Sequence, residues 1–308
     1  MSLSEPEHGP ETQASISRAT LLVLVSACCF GSIGVLSTLA INGGARLTDV
    51  LFWRYAIAAV LLVVVSGGAA AVRLPRRRAI ELALFAGGGQ AAVAFTTLSA
   101  LRYIPVASLV FLFYTYPTWV AVISAMRGVE RLTVPRVVAL AISLAGIGLM
   151  VGLPGSGTMH PAGVAFALGG ALLYALYIPM INRFGSGLHP AVTSAYAAGG
   201  AAVVFLAAAL VQGTPRIAFT PLGWASILAL AVICTVFAFI IFLRGLAVIG
   251  SVRTAIVSTV EPFWTALLGS LVLGQSIGPR VFIGGSLIAG AVVLLQVAGR
   301  ETEARRES

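Results

Sequence analysis

A single carboxylate, Glu261, stands near the middle of an apolar run, eight residues past Arg253 and followed by thirteen uncharged residues to Gly274. A charge at the centre of a membrane helix costs about 2.5–3.5 kcal/mol, so an acid there faces a cavity or a partner. Its chemistry would be reversible proton uptake or ionic capture of a substrate amine. The alternative is a neutral carboxylic acid that only hydrogen-bonds a neighbouring helix. Thr254, Ser258, Glu261 and Thr265 are spaced four, three and four residues apart, which puts them on one helical face and predicts a polar stripe that binds substrate or protons. Pro262 has no amide to offer the Ser258 carbonyl, which predicts a kink and a carbonyl left for water, substrate or a side chain; Pro117 should do the same to Phe113.

Arg54 is the second candidate, a turn or more inside another apolar run and flanked by Trp53 and Tyr55. Two readings stand side by side: a guanidinium that snorkels to the head groups, or a gate or anion contact, with Asp49 as a candidate partner. Gln90 follows Gly87-Gly88-Gly89 and is a candidate cavity residue, while the glycines read as sites of close helix packing. Among the aromatics, Tyr116, Trp119 and Trp264 are the expected substrate wall.

Other chemistry is poorly supplied. His8, His160 and His189 fall in tails or loops, and Cys28, Cys29 and Cys234 lie inside apolar runs without ligand spacing to histidine, so neither a metal site nor a cofactor is expected. The chain has no lysine, hence no phosphate-binding loop of the GxxxxGK type, and no serine–lysine or paired-aspartate constellation for intramembrane hydrolysis.

The elements that must hold these residues are membrane helices. Of 308 residues, 59% are hydrophobic and 9% charged, against roughly a quarter charged in soluble domains. Apolar runs fall at 19–41, 49–72, 80–101, 105–126, 135–152, 161–182, 190–211, 221–243, 254–274 and 279–298, most near the roughly 20 residues that cross a bilayer. The first run has no small-residue cleavage site before a soluble domain and is expected to stay as a span. Residues 1–18 and 299–308 are polar and are expected to be disordered cytoplasmic tails.

All 19 basic residues are arginine, and the net charge is +9. Their placement at run ends suits anionic lipid rather than nucleic acid. With the N-terminus inside, fourteen arginines collect on the cytoplasmic side and four (Arg46, Arg102, Arg216, Arg280) outside, with Arg54 within a span. The positive-inside rule therefore predicts an inner-membrane, multi-pass protein with both termini cytoplasmic.

Laid on itself at an offset of 145, the chain matches Leu101 to Leu246, Pro117 to Pro262 and Trp119 to Trp264, setting Tyr116-Pro117-Thr118-Trp119 over Glu261-Pro262-Phe263-Trp264. Each half then holds five runs, an odd number, so the second must be inverted relative to the first. The expected fold is all-α: ten transmembrane helices as two inverted five-helix repeats, 19–152 and 161–298. At the positions of the Thr254–Thr265 stripe the first half carries Leu109, Phe113, Tyr116 and Val120, so function is expected on the second-half face.

These residues resemble the EamA family of the drug/metabolite transporter superfamily. The resemblance covers about 19–298 and is carried by Ala100 to Leu132 with its YPTW, by Gly245 to Gly274 with Glu261-Pro262, and by the FWRY around Arg54. It implies a ten-helix carrier of metabolites such as amino acids, working through a cavity between the halves. Gln275 departs from the glutamate that many relatives carry at the end of the ninth helix. The leading expectation is an alternating-access exporter of small metabolites in the inner membrane, with Glu261 as the candidate proton or amine site. Its alternatives are an uncoupled facilitator of the same fold and a non-transporting scaffold or enzyme; the last would need a paired catalytic constellation, and Glu261 with Arg54 is too little.

Overall fold

The computed structural model describes residues 10–100, 103–104, 109, 112–128, 133–151, 160–213, 215–274 and 278–307. Every regular element among them is helical, as a lipid environment demands: backbone N–H and C=O groups in hydrocarbon must be satisfied within the segment itself. The first half contains α1 (Pro10–Gly31), α2 (Ile33–Asn42), α3 (Leu47–Val65), α4 (Arg76–Leu82), α5 (Gly89–Ala100), α6 (Tyr116–Met126) and α7 (Val134–Val151). The second contains α8 (Pro161–Phe184), α9 (Pro190–Val211), α10 (Pro221–Ala231), α11 (Ala238–Val257), α12 (Glu261–Leu273) and α13 (Pro279–Glu307).

Several of these helices are joined without leaving the helical path. A π-helical turn, Ala83–Gly88, links α4 to α5, and a second, Val232–Phe237, links α10 to α11. The 145-residue offset carries the first turn to 228–233, about one helical turn from where the second lies, so the two halves share this distortion. Gly250 breaks α11 with φ +77°, a backbone region that glycine enters without steric penalty. A 3₁₀ turn, Ser258–Val260, leads into α12.

Six helical stretches among the described residues are long and apolar enough to cross a membrane: Ala14–Asn42, Leu47–Val65, Arg76–Thr97, Pro161–Phe184, Pro190–Val211 and Pro221–Val272. The last contains the Gly250 break, and Val134–Leu149 and Phe282–Leu294 are shorter apolar helices. Leu21, Val60, Phe95, Leu271 and Phe282 are exposed on the outer surface, where water would penalise them and lipid would not. Helix continues through residues 10–18 and on to Glu307, where composition predicts tails, because extending an existing helix costs far less than starting one. Pro105, the 152–159 connection and Gln275 lie outside the described residues.

The helix pairs respect an exchange of the two halves. α3 packs on α9 and α7 on α13, while the contact of α5 with α8 is answered by those of α1 and α2 with α11 and α10. Small residues permit the closest approaches. Gly200 lies against the first π turn, where an added Cβ would stand 2.6 Å from the Ala83 carbonyl oxygen and 2.8 Å from Gly87 Cα. With little hydrophobic driving force between helices in lipid, such tight backbone packing is a main source of association.

Candidate functional site

A cavity of about 250 Å³ lies where the halves meet. Arg54 and Tyr55 of α3, Gln90 and Thr97 of α5, and Phe113 line it from the first half. Tyr174 and Tyr177 of α8, Phe239 and Phe242 of α11, and Glu261 at the head of α12 line it from the second. Three of the residues singled out by the sequence, Arg54, Gln90 and Glu261, therefore share one space. A second hollow of about 520 Å³, beside the α8–α9 connection, shares Ile181 and Leu243 with it.

Arg54 does not snorkel. It is 4% exposed, its Nε donates to Thr235 Oγ1 at 2.7 Å and its Nη2 to the Cys234 carbonyl at 3.3 Å. Both acceptors belong to the second π turn, whose widened geometry presents a carbonyl that a regular helix would keep for itself. Thr235 is fixed in turn, donating to the Leu230 carbonyl at 2.9 Å. The guanidinium thus ties the first half to the second while a face of it borders the cavity. Asp49 is not its partner: that carboxylate is fully buried and accepts from Arg46 Nε at 2.8 Å and Nη2 at 2.9 Å. A bidentate pair three residues away in sequence is closer than Arg54, one to two turns further along the helix.

Glu261 is placed by the start of α12. Its carboxylate lies beside the Tyr114 hydroxyl and faces the charge of Arg54. The helices opened by Tyr116 and Glu261 begin 145 residues apart, each with its proline in the first turn. Proline is tolerated there because the amide it lacks would have no intrahelical partner. The Ser258 carbonyl is accordingly not free, in contrast to the sequence expectation; the 3₁₀ turn hands it the Glu261 amide. On the first-half side residues 114–115 form a turn before α6, and the Thr118 N–H donates to the Thr115 carbonyl at 3.0 Å.

That 3₁₀ turn also splits the predicted polar stripe. Thr254 and Ser258 are buried between helices, near the Tyr116 hydroxyl that donates to the Ala255 carbonyl at 3.5 Å, and they do not line the cavity. Thr265 Oγ1 donates to the Gly31 carbonyl at 2.8 Å and to the Glu261 carbonyl at 3.0 Å, which locks α12 onto α1. Only Glu261 of the four reaches the open space.

The expected aromatic wall is also redistributed. Trp119 is 39% exposed on the outer surface, and Trp264 Nε1 donates to Ser32 Oγ at 3.1 Å, so neither lines the cavity. Tyr116 stands behind the wall, edge-on to Tyr174 at 4.8 Å between ring centroids. The aromatic lining is Phe30, Tyr55, Phe113, Tyr174, Tyr177, Phe239 and Phe242. Tyr55 and Gln90 are joined, Gln90 Nε2 donating to Tyr55 Oη at 2.9 Å. No signal in a single sequence separates lining tyrosines from the rest; those of α8, three residues apart at 174 and 177, share a face, which is the one regularity available.

On one face of the molecule the two halves are strapped together by hydrogen bonds. Arg46 Nη1 donates to the Gln212 carbonyl at 2.9 Å, the Arg216 amide to Asp49 at 3.2 Å, and Trp53 Nε1 to the Arg216 carbonyl at 2.9 Å. These bonds, with Thr220 N–H on the Gly43 carbonyl at 3.0 Å, join the α2–α3 connection to the α9–α10 connection across the two halves.

Two halves of apolar helices meeting around a polar and aromatic cavity give the molecule the architecture of a multi-pass membrane transporter. Residues 17–152 and 161–297 each match the EamA-like transporter family, and the chain belongs to that family. It is 27% identical to the uncharacterized inner membrane transporter YicL of Salmonella typhimurium, over 93% of this chain and 97% of that one. It is 26% identical to the uncharacterized transporter YwfM of Bacillus subtilis over 53% of this chain and 55% of the relative. Its fold matches a crystal structure with a TM-score of 0.77 at 19% identity, covering 93% of this chain and 99% of the other.

Proposed function

We propose that the chain is a secondary transporter that exports small metabolites, amino acids or related amphipathic solutes, across the inner membrane by alternating access. In this reading ten spans form two inverted five-helix repeats, 19–152 and 161–298, with both termini cytoplasmic. The observation that carries it is the meeting of Arg54, from the first half, and Glu261, from the second, on one cavity. Relative motion of the halves would change the distance between a cation and an anion that both face the substrate. The aromatic lining suits an apolar side group. In this reading the strapped face is the outer one and the hollow beside the α8–α9 connection is the inner entrance, by which a cytoplasmic solute would reach the site. Glu261 carries the coupled proton, with Thr254, Ser258 and Tyr116 fixing the helix break behind it; no cofactor takes part.

The test is transport in proteoliposomes with a panel of labelled amino acids and an imposed proton gradient. Wild-type protein should accumulate substrate against its gradient. Glu261→Gln should retain downhill exchange and lose accumulation. Full accumulation with unchanged pH dependence in Glu261→Gln would sink the coupling role of this residue, and an absence of any exchange in the wild type across the panel would sink the substrate class.

A further inference from the structure

Beside α4, at the membrane boundary, a hollow of about 340 Å³ that shares Arg183 with the one beside the α8–α9 connection is lined by Arg77 and Arg78 from the first half and Arg183 from the second, with Glu81 as its one acid. Glu81 is engaged already: Arg77 Nε donates to its Oε1 at 3.0 Å. Arg78 spends one nitrogen on the Ser186 carbonyl at 2.9 Å, and the Arg183 guanidinium has no hydrogen-bond or ion-pair partner among the described residues. Three guanidiniums against one carboxylate leave the hollow with excess positive charge. Guanidinium groups match a phosphate's oxygens with paired N–H donors, which makes the hollow complementary to a phosphodiester.

What surrounds it selects the source of that phosphate. Phe184 forms part of the wall and stacks on Phe85 at 5.0 Å between centroids. Ile80, Leu84 and Phe85 are exposed on the following turns of the same helical stretch, which runs on into the bilayer. A soluble anion has no use for such a wall, whereas acyl chains would cover it. We propose that this hollow binds the headgroup of an anionic phospholipid, with Arg77, Arg78 and Arg183 on the phosphate and the Ile80–Phe85 surface against the chains. Basic pockets between membrane helices are the expected seats of such headgroups. Because the arginines come from both halves, the bound lipid clamps α4 to the end of α8 and favours the conformer in which they meet.

The test is melting of the purified protein in neutral detergent, titrated with phosphatidylglycerol, with phosphatidylcholine of the same chains, or with inorganic phosphate. Phosphatidylglycerol should raise Tm and phosphatidylcholine should not. Each pocket arginine removed should weaken the apparent phosphatidylglycerol affinity about 5-fold, as expected for one basic group at an anionic surface. Arg183→Gln should show that loss, Arg183→Lys should keep most of the affinity, and Arg127→Gln, an equal loss of charge outside the hollow, should change it less than 2-fold. Melting temperatures in phosphatidylcholine report whether each variant is folded. Equal shifts by the two lipids, an equal loss in Arg127→Gln and Arg183→Gln, or a phosphate shift as large as that of phosphatidylglycerol would each overturn the proposal.

Discussion

Arg54 Nε donates to Thr235 Oγ1 at 2.7 Å, joining α3 of the first half to a π turn of the second across 181 residues of sequence. The equivalent junction is built differently. There Gly200 of α9 meets the first π turn backbone to backbone, with Gly87 and Ala83. Two halves that share a scaffold thus close one seam with a buried cation and the other with glycines. The seam that holds the cation is the one that borders the cavity.

Thr235→Val removes the acceptor of Arg54 Nε while preserving shape. A buried donor left without its partner costs about 1–3 kcal/mol, so Tm in detergent should fall by several degrees. In a cycle with Arg54→Ala the double variant should lose less than the sum of the singles, because both changes remove the same contact. Strict additivity would show that the bond seen at 2.7 Å contributes nothing.

The glycine seam makes a sharper contrast. A Cβ on Gly200 would stand 2.6 Å from the Ala83 carbonyl oxygen, whereas one on Gly88 meets nothing within 4 Å. Gly200→Ala should destabilise by about 1–3 kcal/mol, as overpacking does, and reduce the folded fraction recovered by size-exclusion chromatography. Gly88→Ala should leave that fraction unchanged or raise it, since alanine favours helix over glycine.

Local patterns explain how much of this was readable from sequence. The apolar runs and the Pro-x-Trp pairs depend on composition and spacing within tens of residues, so the helices and the family could be found, and Glu261, Gln90 and Arg54 could be picked out as residues that prove to line one cavity. The partner of Arg54 could not, because a threonine in an apolar run gives no sign that a π turn presents it. The stripe from Thr254 to Thr265 failed for a related reason: helical periodicity assumes one unbroken helix, and a 3₁₀ turn at Ser258–Val260 rotates α12 relative to the end of α11. Trp119 and Trp264 were misplaced because a large aromatic side chain is equally at home against lipid, in a helix seam or on a cavity wall.

Asp49 is the acceptor on which the bonds of the strapped face converge. Its carboxylate accepts two bonds from the Arg46 guanidinium and one each from the Arg46 and Arg216 amides. Asp49→Asn replaces one acceptor oxygen with a donor, so this set cannot persist intact. The connections it joins should part more often. Leu51 of α3 lines the cavity, and in a background without native cysteines Leu51→Cys should react several-fold faster with a membrane-impermeant maleimide once Asp49→Asn is added, while Tm falls. Unchanged labelling with a lowered Tm would mean that Asp49 supports the fold without holding the face shut.

Tyr177 separates binding from stability. Its ring is buried in the cavity wall, yet its hydroxyl has no hydrogen-bond partner among the described residues. Buried polar atoms are nearly always satisfied, and this one borders the space assigned to substrate. Tyr177→Phe deletes no protein hydrogen bond, so Tm without substrate should stay the same or rise slightly. If the hydroxyl bonds the solute, apparent affinity in transport should drop about 3- to 10-fold, the worth of one neutral hydrogen bond. Tyr55→Phe supplies the comparison, because its hydroxyl already accepts from Gln90 at 2.9 Å and its loss should lower Tm as well. An affinity unchanged in Tyr177→Phe would place the solute's polar groups elsewhere in the cavity, beside Arg54 and Glu261.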